Sequence, residues 1–295
     1  MDWLHELKKN WKTQVHEFAG TEENKVFPAQ KLEGTERRLR LLENRVAEIV
    51  KAKTTGEIYS LLRYEESEII QYALHHEYLL KQKEHLYIEE EIEHREAEFK
   101  SGKLKSDRAV IEQQPEEPPS IDWSESGNEE RSPFYYDRLA AVKYAERWWN
   151  SYNPNFKKFD VDCTNFISQC LYAGGAPMSG YPNRSKGWWY RNNNWSYSWA
   201  VAHSLRWYLS GAKTGLRGKE MASADLLQPG DVICYDFEGD GKWDHNTIVV
   251  AKDAAGMPLV NAHTNNSRMR YWSYEDSAAW TPNIQYKFFH IVDDS

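Results

Sequence analysis

The chain has 295 residues and a formal net charge of -8, with three cysteines and no run of 18 apolar residues. That excludes a membrane-spanning helix and a disulfide-stapled scaffold. It also gives no support to nucleic-acid binding, because no Lys/Arg block with interleaved aromatics occurs. Residues 1–131 carry 20 Lys plus Arg against 29 Asp plus Glu, whereas 132–295 carry 17 against 16. Ten of the 13 tryptophans lie in the second part. The asymmetry predicts two domains, the second being a packed, aromatic-rich one.

The start, Met1-Asp2-Trp3-Leu4-His5-Glu6, lacks the basic and apolar regions of a secretory signal, so the expected origin is cytosolic. Export by spore or cell-lysis routes stays open. Leu39, Leu41, Leu42, Val46, Ile49 and Val50 recur at helical spacing, and Thr54-Thr55-Gly56 reads as a break. A second periodic segment runs from Ile58 through Leu61, Leu62, Ile69, Ile70, Leu74, Leu79 and Leu80, with a continuation towards Phe99. This pattern predicts a helical hairpin or coiled-coil-like arm over 1–113. The arm is a candidate surface for self-association or a protein partner. His75, His76, His85 and His94 then read as part of a solvated helix face. One Glu-x-x-His unit, Glu91 to His94, falls short of the two that a di-metal bundle needs. Residues 114–131, rich in proline and acid, read as an extended linker.

The second domain, 132–295, has an α+β order. Helices are predicted from Tyr135 to Ser151, from Cys163 to the Gly174-Gly175 stop, and through Trp199, Leu205 and Trp207 to Gly211. Strands follow at Val232–Tyr235, Thr247–Val250, Leu259–Ala262 and Tyr286–Ile291.

Within this domain Cys163 is the candidate nucleophile. At a helix N-terminus a thiolate faces unpaired N–H groups and the positive dipole end. Those N–H groups also suit a tetrahedral oxyanion. Asp162 is placed to cap that helix. His245, at the mouth of a strand, is the candidate base. Asn261 and His263 alternate on the next strand, and Asn261 is expected to hold the second nitrogen of His245, giving a Cys-His-Asn set. His263 is then a cleft residue or substitute orienter. A zinc site of Cys163, His245 and His263 has no short ligand spacing behind it, so no metal and no cofactor is expected. Cys170 and Cys234 fit buried packing residues. Trp188, Trp189, Trp195, Trp243 and Trp272 are candidate cleft aromatics, with 183–198 as a loop over the site.

Several runs carry a family resemblance. They are Ala140-Ala141-Val142-Lys143-Tyr144-Ala145, Asn153-Pro154-Asn155-Phe156, Asp162 through Gly175, Pro229-Gly230-Asp231, the His245 strand and Asn261-Ala262-His263-Thr264. Over roughly 134–292 the chain resembles the “putative amidase domain” family of spore-forming bacteria, related to the NlpC/P60 and CHAP groups of the papain-like superfamily. The resemblance implies a nucleophile helix packed on an antiparallel sheet. It also implies Cys163 as nucleophile, His245 as base and a polar residue of the next strand as orienter, with Asn261 and His263 in the matching places. Resembling enzymes cut amide or peptide bonds of peptidoglycan, so peptidoglycan or a muropeptide is the expected substrate. Val161 stands where such proteins often have glycine, which narrows a subsite beside the nucleophile. The competing readings are an inactive binding or assembly protein on the same fold, and acyl transfer or crosslinking by the same thiol.

Overall fold

The computed structural model describes residues 4–7, 32–110 and 134–294. They form two compact units. The first runs to residue 110 and takes in Tyr274–Ala279, and the second holds the remaining described residues. The linker expected at 114–131 lies outside the described residues.

In the first unit helix α1 (Leu32–Arg45) leads into β1 (Ala47–Arg63), β2 (Ser67–Gln82), β3 (His85–Lys100) and β4 (Lys103–Ala109). Each strand pairs antiparallel with the next. The helical hairpin expected over 1–113 is therefore corrected: residues 47–109 form a meander of unusually long strands. The reason lies in the period. Along β2 every second residue is buried, among them Ile70, Tyr72, Leu74, His76, Tyr78 and Leu80. A spacing of four, as from Ile70 to Leu74, satisfies both a helix and a strand. The aromatic and histidine positions between break the tie in favour of the sheet. Leu7 packs with Ile70, Tyr72, Leu74 and Phe99, and Leu42 of α1 with Tyr78 and Leu80. The other sheet face is mixed, pairing Leu79 with Ile88 among its charged residues. There His75 Nε2 lies 2.9 Å from Glu90 Oε2 across the strands. The tight turns need positive φ, at Lys83 (54°) and at Ser101-Gly102 (50° and 74°).

The second unit is α+β. Its helices are α2 (Arg138–Trp148), α3 (Cys163–Ala173), α4 (Tyr197–Ala200) and α5 (Ala202–Gly211). A short hairpin, β5 (Tyr190–Arg191) and β6 (Asn194–Trp195), turns through Asn192 and Asn193, both at positive φ. These are the residues such a two-residue turn favours, so the loop expected over 183–198 contains a built hairpin. The sheet comprises β7 (Arg217–Met221), β8 (Val232–Asp236), β9 (His245–Lys252), β10 (Pro258–Ala262), β11 (Ser267–Tyr271) and β12 (Gln285–Val292). Its order is β11-β10-β9-β8-β12-β7, antiparallel throughout. Polar β7 and β11 were not anticipated from the apolar pattern.

Helix α3 is buried along nearly its whole length. Phe166, Ile167, Cys170 and Leu171 share one core with Val232, Cys234, Ile248 and Val250 of the sheet. Helix α2 starts under a cap, Asp137 Oδ1 accepting from Ala140 N at 2.9 Å. Asp231 of the Pro-Gly-Asp run is a buried tie. It accepts from Arg138 Nη1 at 2.6 Å and from Ile291 N at 3.0 Å.

Candidate active site

Cys163 opens α3 and is 1 % exposed. Its N–H donates to Thr264 Oγ1 at 3.2 Å, and its sulfur lies 3.6 Å from Thr164 Oγ1. Burial pushes the thiol above its ordinary range, opposed by hydrogen bonds from the Thr164 hydroxyl, the Asn246 backbone N–H and the Thr264 hydroxyl. The sulfur thus sits where the start of α3 meets the start of β9 and the residues just beyond β10.

Asp162 does not cap the helix with its side chain, which corrects the capping role expected of it. Oδ1 accepts from Phe159 N and Asn165 Nδ2, each at 2.9 Å, and Oδ2 lies 2.7 Å from His263 Nδ1. The carboxylate therefore braces the turn before the nucleophile instead of covering the first N–H groups of α3. His263 Nε2 is 2.8 Å from the Trp148 carbonyl, and the ring stacks on Phe166 at 4.0 Å.

Strand alternation separates the two histidines. Asn246, Ile248 and Val250 of β9 face α3: Asn246 Nδ2 donates to Thr164 Oγ1 at 3.0 Å, and the two apolar residues join the core. His245 consequently turns to the opposite face, where its ring lies 5.7 Å from Tyr235 and 6.1 Å from Phe237. Burial, aided by the charge of Arg270, depresses the imidazole to about 3. Asn261 is on the α2 side. Its Nδ2 donates to Glu146 Oε1 and its Oδ1 accepts from Met269 N, both at 2.8 Å. Its amide is thus spent on α2 and β11 and does not orient His245, contrary to the expected Cys-His-Asn set. The structure groups Cys163 with Asp162, His263 and Thr264.

Thr164, Thr264 and Asn165 belong to the site without having been expected there. Asn165 joins three parts of the site: Nδ2 donates to Asp162 Oδ1 and to Lys157 O at 2.9 Å, and Oδ1 accepts from Trp199 Nε1 at 2.8 Å. Their place inside the Asp-Cys-Thr-Asn and Asn-Ala-His-Thr runs was the available signal.

Beside the Asp162–His263 pair is a small pocket of about 10 Å³, lined by Trp148, Tyr152, Lys157 and Lys158 among others. The tryptophans divide. Trp188 and Trp189 are core, with Trp188 Nε1 donating to Ser168 Oγ at 2.9 Å, which corrects their expected cleft role. Trp243 is buried under Arg206, and Trp272 packs against Tyr286 and Phe288. Trp195 stays half-buried, its ring edge on Phe159. Among the described residues one acidic trio, Asp236, Glu238 and Asp244, brings carboxylate oxygens within 4.8 Å of one another. Asp236 spends its oxygens on the N–H groups of Gly239 and Gly241. Burial, then the neighbouring Glu238 and Asp236 charges, push Asp244 up to about 7.

An α+β unit of helices on an antiparallel sheet, with a thiol at a helix start, is the framework of an amidase-type domain. The chain belongs to the family described as “Putative amidase domain”, which matches residues 135–289. It is 54% identical over 269 residues to Uncharacterized protein YhbB of Bacillus subtilis (strain 168), covering 88% of this chain and 86% of that protein. It is also 34% identical over 141 residues to Uncharacterized protein YjcM of the same organism, covering 44% of this chain and 31% of that protein. No solved structure matches the chain.

Proposed function

We propose that the second unit is a cysteine-dependent hydrolase of amide bonds in the peptide part of bacterial peptidoglycan, with Cys163 as nucleophile. The position of the Cys163 sulfur carries the reading. It lies at the first turn of a buried helix, beside the Asn246 N–H and two threonine hydroxyls, in a chain of an amidase-domain family. The likeness to NlpC/P60 and CHAP domains supports His245 as base.

The thiol is raised and the imidazole depressed, so both are uncharged at neutral pH. That favours general-base transfer over a standing thiolate–imidazolium pair. Residue 245 is one peptide from the N–H that faces the sulfur, but its ring lies on the opposite sheet face beside Tyr235, so His245 reaches the thiol only when the start of β9 shifts. The sulfur then attacks the carbonyl carbon as its proton passes to the imidazole. Collapse breaks the C–N bond, and that proton leaves on the amine. Water, deprotonated by the same imidazole, cleaves the thioester to a carboxylic acid and restores the thiol. His263 shares the α3 face of the sheet, but both its nitrogens face acceptors, Asp162 Oδ2 and the Trp148 carbonyl, so it positions the turn before Cys163 and offers the thiol no free nitrogen.

A binding or assembly role is the second reading, favoured by the nearly complete burial of the thiol. Acyl transfer differs from hydrolysis in using an amine where water would act. Incubating wild type and Cys163→Ala with purified peptidoglycan, and reading new termini by mass spectrometry, separates these. Termini formed by wild type alone establish the hydrolase and name its bond. Amine-dependent products indicate transfer, and identical digests from both proteins leave the binding role.

A further inference from the structure

The pocket beside the nucleophile turn is cationic in a specific way. Lys157 and Lys158 line it and are exposed. Their ammonium groups lie on ring faces, Lys157 Nζ 4.8 Å from the centre of Trp195 and Lys158 Nζ 4.1 Å from that of Tyr152. Arg184 covers Trp195 at 5.0 Å. Of the carboxylates around it, Asp162 is held by His263 and Glu146 by Arg268, each at 2.7 Å, while Asp160 is exposed. Lys157 also lies over Phe159 and Arg184 over Tyr197, and Arg184 Nε donates to the Trp195 carbonyl at 3.1 Å.

The position of Lys157 is also built. Its N–H donates to Tyr190 Oη at 2.9 Å and its carbonyl accepts from Asn165 Nδ2 at 2.9 Å. Asn165 in turn holds Asp162, so the lysine loop is fixed to the turn that presents the thiol. A cation on an aromatic face keeps outward N–H groups that can donate charge-assisted hydrogen bonds to an anion.

We infer that Lys157 and Lys158, with Arg184 on Trp195, form a subsite that selects a substrate bearing a free carboxylate next to the amide acted upon, that is, an acidic peptide. The inference rests on the hydrolase reading only for where the scissile bond lies; the anion preference itself is a binding property.

The test uses full-length Cys163→Ser, which binds without turning over. Its probes are a synthetic cell-wall stem peptide with a free side-chain carboxylate and the same peptide amidated there. Calorimetry should show the acidic peptide binding about tenfold more tightly at low salt, as expected of one or two partly exposed charge pairs. The preference should shrink as salt rises past roughly 0.1 M, where the screening length is about 10 Å. Adding K157Q and K158Q should abolish it, and adding K157R and K158R instead should restore it, with circular dichroism confirming that each variant folds. Equal affinity for both peptides, or a preference that survives the glutamine pair, overturns the inference. Wild-type cleavage of both peptides at equal efficiency overturns it too while leaving the hydrolase reading intact. A charge preference without any cleavage supports the subsite and removes the hydrolase. Absence of both binding and cleavage removes both.

Discussion

His263 and Asp162 are 101 residues apart in sequence, yet Nδ1 and Oδ2 meet at 2.7 Å with both side chains at most 3 % exposed. This pair ties the residue before the nucleophile to the residue before Thr264, so it fixes both sides of the cysteine. Removing one partner strands the other in a dry site. Asp162→Ala should therefore cost about 3–5 kcal/mol of unfolding free energy. It also strips the acceptor from Phe159 N and Asn165. Urea denaturation of wild type, both single variants and the double Asp162→Ala/His263→Ala gives the coupling. A coupling near zero would show that the pair does not brace the turn.

His245 supplies a pH signature. Its folded-state value of about 3 lies below the ordinary 6.5, so the unfolded chain takes up the proton first as pH falls. Stability present above about pH 6.5 is lost progressively down to about pH 3, at up to roughly 1.4 kcal/mol per unit for this group. In His245→Gln that part of the slope should vanish between pH 6 and 4. Parallel stability curves for the two proteins over that interval would contradict the assignment.

Cys163 should be a slow thiol. It is buried and held above its usual range, so the thiolate fraction and access are both low. Iodoacetamide at pH 8 should label it at least about a hundredfold more slowly in the folded protein than in denaturant. Peptide mapping distinguishes it from Cys170 and Cys234. Fast labelling would mean that the sulfur is presented to solvent without any rearrangement.

Asp244 works in the opposite sense. Its carboxyl, at about 7 against an ordinary 3.8, holds its proton when folded over a range where the unfolded chain is ionised. Stability is therefore lost as pH rises from about 4 to 7. Asp244→Asn should raise the melting temperature at pH 8 by a few degrees, about 2–5 °C, with little effect at pH 4. A melting temperature lowered equally at both pH values would instead point to loss of its bond to Phe237 N.

Gly187 tests the turn that leads into Trp188 and Trp189. It has φ +63°, and an added Cβ would meet the Ser179 carbonyl oxygen at 2.0 Å. Gly187→Ala should cost about 2 kcal/mol or more, measured by thermal melting. An unchanged melting temperature would show that this backbone approach is not required.

The site was partly legible. Cys163 behind Asp162, at the start of an apolar helix closed by Gly174, is a local pattern, and the helix forms as Cys163–Ala173. The strands carrying Cys234, His245 and Asn261 are short apolar runs and form where they were expected. Which side chains meet was not legible. Asn261 spends its amide on Glu146 and Met269 N, because β10 turns that face towards α2. The Trp188-Trp189 pair looks like a binding surface in sequence. It is core because Trp188 donates inward to Ser168 and Trp189 to the Asn183 and Lys186 carbonyls.

By itself, then, the sequence determined the α+β order of the second unit, the helix start that holds the thiol and the position of His245 at the mouth of a strand. Each depends on neighbours within a few residues. Tertiary structure decided the strand identity of 47–109, where an interval of four fits both periods and burial against Leu7 and α1 selects the pleat. It also decided that His263, not Asn261, lies with Asp162 and that the ring of His245 turns away from α3. Those outcomes depend on sheet face, and face is set by which side of a strand a helix covers, a choice made by residues a hundred positions distant.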